Sequence, residues 1–296
     1  MDKDRNKFKG IFVPIVTPFN SEDQLDESMT QKLCDSFLKY PVQGYYVGGS
    51  TGECFVQTIE ERSNYLKMVS NINNQKKIII AHIGSTALKE ALYLGKIAQE
   101  LGYDAIASVP PFYYQYKKEE IFAYYEALTK DIKLPLFIYN IPSNTNINFS
   151  FTDLDYLLKI DNIIGLKHTS TDLFVIERVK ERSPDSIIYN GPDQMLLAGL
   201  SMGCDGGIGS TYNLLPDDFC KIFYSFQNGD WSTSKKYQSK VNKVIQVLLS
   251  MNIYGAIKYL MKKKGIDCGN SRKPFSELNS DQINKLNKLY DQILLN

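Results

Sequence analysis

Ile163-Ile164-Gly165-Leu166-Lys167-His168-Thr169 is the stretch on which the reading of the fold turns. It is apolar without alternation until its lysine, the pattern of a strand buried on both faces in a parallel sheet. Runs of the same kind, rich in Ile, Val and Tyr, occupy residues 10–19, 45–49, 77–83, 105–110 and 135–141 before it, and 186–191 and 206–211 after it. Helix-compatible segments lie between them, with apolar residues three and four apart: Met29, Leu33 and Phe37; Leu88, Ala91, Leu94 and Ala98; Leu173, Ile176 and Val179. Asp26, Thr58, Ser85, Thr152 and Asp172 are candidate N-caps.

Such alternation gives either a doubly wound open sheet or a closed barrel, and eight strand-like runs favour the α/β (β/α)8 TIM barrel. Past the eighth run, residues 215–226, 232–250, 254–264 and 280–294 read as helical with no strand pattern among them. The first is taken as the last barrel helix. The expected division is therefore a catalytic barrel over 1–228 and a C-terminal helical extension over 229–296, packed on the barrel because no low-complexity linker separates them.

Composition narrows the function. Against 33 Asp and Glu stand 34 Lys and Arg, a formal charge of +1, which leaves no field to gather phosphate backbones or anionic lipid. Neither nucleic acid nor a membrane surface is expected as a partner. Residues 1–10 are charged rather than apolar, unlike a signal peptide, and no run has the roughly 18 apolar residues of a membrane span. A cytoplasmic protein is the expectation. The 5 cysteines are widely spaced without a Cys-x-x-Cys pair, and there are only 2 histidines, His82 and His168, so reduced thiols and no metal are expected.

In a barrel of this type chemistry collects at the carboxyl ends of the strands. The second run enters Gly48-Gly49-Ser50-Thr51-Gly52-Glu53, where glycines allow close approach and consecutive N–H groups can hold a carboxylate or phosphate; a tight turn with an N-cap serine is the alternative. The fifth ends Ile138-Tyr139-Asn140-Ile141-Pro142, placing a phenol at the mouth, although most of the 20 tyrosines must be packing residues. Lys167 is the best nucleophile on offer. A lysine inside an apolar strand loses the solvation of its charged form, which favours the free amine, and such an amine forms a Schiff base with a ketone without a metal. The alternative is that Lys167 pairs with a carboxylate or reaches solvent.

The seventh run leads to Gly191-Pro192-Asp193-Gln194 and the eighth to Gly209-Ser210-Thr211, groups suited to a polyhydroxylated ligand. Tyr212 stands where a dinucleotide fingerprint needs its last glycine. On a regular strand His168 points away from Lys167 and is structural. Cys54 has no histidine nearby in sequence to activate it and reads as a packed thiol.

Three motifs, Gly48 to Glu53, Tyr139-Asn140-Ile141-Pro142 and Lys167-His168-Thr169, stand in the order and spacing of the Schiff-base lyases that include N-acetylneuraminate lyase and dihydrodipicolinate synthase. The resemblance extends over nearly the whole chain, through Pro111-Phe112-Tyr113-Tyr114 and Arg272-Lys273-Pro274-Phe275. It is closer to the neuraminate lyases: the loop has Ser50-Thr51 rather than Thr-Thr, and Asn144 stands where the synthases carry an arginine for a second carboxylate.

The resemblance implies a class I aldolase-type lyase that cleaves N-acetylneuraminate reversibly to pyruvate and N-acetylmannosamine, with no cofactor. It implies that Lys167 forms the Schiff base, that Ser50 and Thr51 hold the substrate carboxylate, and that Tyr139 takes the C4 hydroxyl proton with help from Ser50 or the substrate carboxylate. Thr169, Gly191, Asp193, Gln194 and Ser210 match sugar-contacting positions, and Tyr254 covers them. Tyr113 matches a tyrosine that reaches a neighbouring subunit's site, which implies a homotetramer. One departure is Gln194, where the family often has a glutamate. The alternatives are a related lyase for another 2-keto-3-deoxy sugar acid and a non-catalytic barrel that binds sialic acid or pyruvate.

Overall fold

A computed structural model describes residues 5–294; residues 1–4 and 295–296, which include part of the charged amino terminus and the tips of both expected segments, lie outside it. Strands β1 (Gly10–Pro14), β2 (Gly44–Val47), β3 (Ile78–His82), β4 (Ala105–Ser108), β5 (Leu136–Asn140), β6 (Ile163–His168), β7 (Ile187–Asn190) and β8 (Gly206–Ile208) form one closed parallel barrel in sequence order. Helices α1 (Glu27–Phe37), α2 (Ile59–Asn73), α3 (Leu88–Glu100), α4 (Lys118–Asp131), the short α5 (Pro142–Thr145), α6 (Phe151–Leu157), α7 (Phe174–Arg182), α8 (Leu196–Ser201) and α9 (Pro216–Gln227) fill the connections. Then come α10 (Trp231–Leu248), α11 (Ile253–Lys263) and α12 (Ser280–Leu289).

The continuous apolar runs are explained by two separate cores. Ile11, Val13, Tyr45, Val47, Ile79, Ala81, Ile138, Leu166 and Ile188 face outward against the helices. Phe12, Tyr46, Ile80, Ala107, Phe137, Tyr139, Ile164 and Tyr189 face the barrel interior, so both faces of every strand want apolar side chains. Phe8, from the turn Arg5–Phe8, closes the amino-terminal end of the barrel: its ring meets Phe137 edge-on at 5.5 Å and its carbonyl accepts from Tyr189 Oη at 2.5 Å.

Observed strands are shorter than the apolar runs. The first run continues to residue 19, yet β1 ends at Pro14, because Ile15, Val16 and Phe19 are buried as loop residues and Phe19 N–H donates to Cys268 O at 3.1 Å rather than to a strand. Asp26 and Thr58 cap α1 and α2 as expected, accepting from Met29 N and Glu61 N. The other three expectations are corrected. Ser150, not Thr152, caps α6; Ala87 and Leu173 stand at the cap positions of α3 and α7. Ser85 instead donates to Glu90 at 2.5 Å, and Asp172 offers its carbonyl to His168.

After the barrel, α10 packs on α9 and on the turn Asp193–Met195, and α11 packs on the turn Ser210–Asn213. The C-terminal helices thus lie against the carboxyl-end loops of β7 and β8. Among the described residues no single helix is long and apolar enough to cross a membrane.

Gly165 is required by close approach. A Cβ there would stand 1.9 Å from the Ile187 carbonyl oxygen in the neighbouring strand. Gly165→Ala is expected to cost about 3 kcal/mol or more, by forcing β6 and β7 apart. Urea unfolding checks this, and a loss below about 1 kcal/mol would show that the barrel yields there easily.

Candidate active site

Strand register builds the centre. Across β5 and β6, Tyr139 pairs with Lys167 and Asn140 with His168. Side chains alternate across a strand, so the first pair shares the interior face and the second the helix face. Lys167 is 5% exposed, and no carboxylate among the described residues pairs with it. Its Nζ lies 4.0 Å from the Tyr139 ring centroid and 4.8 Å from that of Tyr46. Both alternatives left open for this lysine, a carboxylate partner and an exposed rim position, are therefore absent.

The β2 loop stands over this pair. Ser50–Gly52 is a single 3-10 turn, followed by a second at Cys54–Val56, and α2 starts only at Ile59, so the glycine-rich loop is a turn rather than an immediate helix start. Ser50 Oγ is 3.4 Å from Tyr139 Oη, and Thr51 Oγ1 is 2.7 Å from Ser210 Oγ. Adjacent hydroxyls thus touch two sides of the barrel mouth, β5 and β8.

Beyond Ser210 opens a cavity of about 380 Å³ whose lining includes Thr169, Gly191, Asp193, Gln194 and Ser210. Five sequence-predicted residues meet here. Gly191 is demanded by Thr169, whose Oγ1 would lie 1.9 Å from any Cβ at that position. Thr169 Oγ1 itself is buried with no partner in the protein. Asp193 Oδ2 accepts from Thr211 N at 2.7 Å and from Thr211 Oγ1 at 2.5 Å. Burial pushes the Asp193 carboxyl above the usual range, against the Thr211 donors and the Lys167 charge, which pull it down. Gln194 is exposed at the rim.

A second cavity, about 210 Å³, adjoins Ser50 and is mostly apolar, with Phe55, Val109, Phe112, Ile141, Tyr254 and Phe275 in its wall. Tyr254 stacks edge-on with Phe275 at 5.2 Å, and burial raises its phenol pKa. Asn144 lines the same cavity. Tyr113 does not reach either one: it is 84% exposed, with φ at 90°.

The remaining titratable groups are held out of play. His168 lies on the helix face: its Nε2 donates to Asp172 O at 2.9 Å and Nδ1 accepts from Asn140 Nδ2 at 3.0 Å, a tautomer set by the carbonyl, which can only accept. Burial lowers the pKa of His168 and, with Arg62 nearby, that of His82. Burial pushes the Cys54 thiol up to about 11, far from a reactive thiolate. Among the described residues no group of three or more His, Cys, Asp or Glu side chains could hold a metal ion.

Sequence reasoning missed Tyr46, which lies under both Lys167 and the Gly49 turn; alternation from Val47 could have turned it inward, but nothing in the sequence set it apart from the other tyrosines. It gave Glu53 no role.

A family model described as the dihydrodipicolinate synthetase family matches residues 7–293. The chain belongs to the dihydrodipicolinate synthetase family. Within it, the chain is 37% identical to N-acetylneuraminate lyase of Rhizobium meliloti (strain 1021), over 97% of this chain and 96% of that one. The crystal structure of N-acetylneuraminate lyase from Fusobacterium nucleatum superposes with a TM-score of 0.92 at 35% identity, covering 97% and 99% of the two chains. A catalytic lysine mutant of Ruminococcus gnavus sialic acid aldolase superposes at 0.95 with 29% identity, covering 98% and 97%.

For this member of the dihydrodipicolinate synthetase family, Asp193 and Thr211 give a measurable expectation. Thr211→Val removes a donor to a buried carboxylate and should cost about 1–3 kcal/mol at pH 7. Because the folded-state pKa of Asp193 is raised, its ionisation burdens the native state increasingly as pH rises from about 3.9, the unfolded value, through the folded one. The loss in Thr211→Val should therefore shrink as pH falls toward about 3.9. Urea titrations at the two pH values check it, and equal losses would contradict the assignment.

Proposed function

We propose that this chain is a class I aldolase-type lyase that cleaves N-acetylneuraminate reversibly to pyruvate and N-acetylmannosamine. The observation that carries the reading is a buried lysine with no carboxylate partner beside a phenol on the adjoining strand. Likeness to N-acetylneuraminate lyases over nearly the full chain supports the substrate.

In this reading the Lys167 amine attacks C2 of the open-chain keto acid and water leaves, giving an iminium. The rings of Tyr139 and Tyr46 face the nitrogen, and a cation over an aromatic face is favoured by about 0.5–2 kcal/mol. Ser50 and Thr51 hold the carboxylate. Tyr139 removes the C4 hydroxyl proton as the C3–C4 electron pair moves into the iminium, releasing N-acetylmannosamine and leaving the enamine of pyruvate. Protonation at C3 and hydrolysis free pyruvate and Lys167. A phenol is a weak base at neutral pH, so as Tyr139 takes the C4 hydroxyl proton its own proton passes through Ser50 Oγ, 3.4 Å away, to the substrate carboxylate, from which it returns to C3 of the enamine.

The sugar chain then extends toward Thr169, Gly191, Asp193, Gln194 and Ser210, in the larger cavity. Asn144 supplies no cation for a second carboxylate, which favours a lyase over a synthase of dicarboxylates. We further propose a cytoplasmic homotetramer in which Tyr113 reaches the neighbouring subunit's site. Its exposure and its positive φ, a strained backbone for a bulky aromatic, support a role outside its own chain. Tyr254 would roof the site from α11.

Borohydride with pyruvate should add one pyruvyl group to the wild type at Lys167 and none to Lys167→Ala, read by intact mass. A labelled Lys167→Ala would exclude the mechanism. Tyr139→Phe should still be trapped with pyruvate but should release pyruvate from N-acetylneuraminate about 10²–10⁴-fold more slowly, the usual weight of a positioned acid or base. Faster turnover of 2-keto-3-deoxygluconate than of N-acetylneuraminate would shift the substrate while keeping the chemistry.

A further inference from the structure

Glu53 ends the glycine-rich loop with its side chain fully buried, in the left-handed region at φ 59°. Its Oε1 is 2.7 Å from Lys258 Nζ, and its Oε2 accepts from the Arg272 backbone N–H at 2.7 Å. Lys258, on α11, is itself 1% exposed; it donates to Asn270 O at 3.0 Å and lies over the Phe19 ring at 4.4 Å. Arg272 is fixed in turn by Glu61, at 2.6 and 2.8 Å, and by Asp23 at 3.0 Å. A carboxylate at the edge of the site is thus tied to two points of the C-terminal segment that are far away in sequence.

The two ends of this tie matter for geometry. Glu53 N–H donates to Ser50 O at 3.0 Å, so its position sets the turn that presents Ser50 and Thr51. Lys258 lies one helical turn after Tyr254, on the same face of α11, and Tyr254 shares a cavity with Ser50. Anchorage of Glu53 therefore sets the turn and α11 in one register. An apolar pair of the same volume could fill the space, but it would not hold a carboxylate between a buried ammonium and a backbone N–H.

We propose that Glu53 is a positioning residue: pinned between Lys258 and the Arg272 N–H, it holds the Ser50–Thr51 turn against Tyr254, so that the C-terminal helices determine how the substrate carboxylate is bound. This rests on the lyase reading of Ser50 and Thr51 given above.

The test compares wild type, Glu53→Gln, Lys258→Met and the double variant Glu53→Gln/Lys258→Met, measuring thermal midpoint and kinetics of condensation of pyruvate with N-acetylmannosamine. Each single variant should raise the KM for pyruvate about tenfold with a smaller change in kcat. In the double variant no buried charge is left unpaired, so the thermal midpoint should recover while the KM stays raised. A KM within about twofold of wild type in the single variants, or recovery of both quantities in the double variant, would show that the pair only stabilises the fold. Should a single variant fail to fold, the double variant decides alone. A wild type that forms no borohydride-trappable imine with pyruvate sinks the lyase reading; a wild type that does, with unchanged KM in the variants, sinks only the positioning role.

Discussion

The pairing of Tyr139 with Lys167 across β5 and β6 is the constraint from which the rest follows. Parallel register and alternation together put an amine and a phenol on one interior face, and they send Asn140 and His168 to the other. A slip of one residue would place His168 inside and Lys167 among the helices. Tyr46 and Tyr139 flank the amine, and the aromatic group of Phe8, Phe12, Phe137 and Tyr189 fills the barrel toward its amino-terminal end.

Lys167 is held among aromatic rings rather than beside a carboxylate. Each ring face favours a cation by about 0.5–2 kcal/mol. Among the described residues no carboxylate forms an ion pair with Lys167, and the charge of Asp193 acts on it only at a distance. In the proposed reaction the substrate brings its own carboxylate to the Ser50–Thr51 turn, so the charge on the imine nitrogen is balanced when the ligand binds. Local hydroxyls and N–H groups suffice for that, in line with a chain whose net charge is only +1.

Polar groups around the centre divide into those already engaged and those left available. Asp193 is fastened to Thr211, and Arg272 to Glu61 and Asp23, so these positions are rigid. Thr169 Oγ1 is buried without a protein partner, Gln194 is exposed at the rim, and Ser50 is only loosely held at 3.4 Å from Tyr139. Rigid anchors beneath free hydroxyls and amides suit a site that must recognise a flexible, hydroxylated chain without rearranging itself.

How far the site was legible depended on whether its signal was local. Eight unalternating apolar runs revealed the barrel, because a strand buried on both faces needs apolar side chains throughout; the same pattern overran β1, because buried loop residues look alike. Lys167 stood out as a charge within such a run, and Gly191 and the Asp193 loop by their place at strand ends. Tyr46 was hidden among 20 tyrosines, since its role comes from the ring it shows to Lys167. The link between Glu53 and Lys258 joins the β2 loop to α11 across all of β3–β8 in sequence, and no periodicity records a contact of that range. The sequence by itself determined the elements and singled out the candidate nucleophile, because these rest on hydrophobic pattern and residue chemistry. Tertiary structure alone decided which groups face the nucleophile and which carboxylates are already paired, because both are set by distances that exist only once the barrel closes.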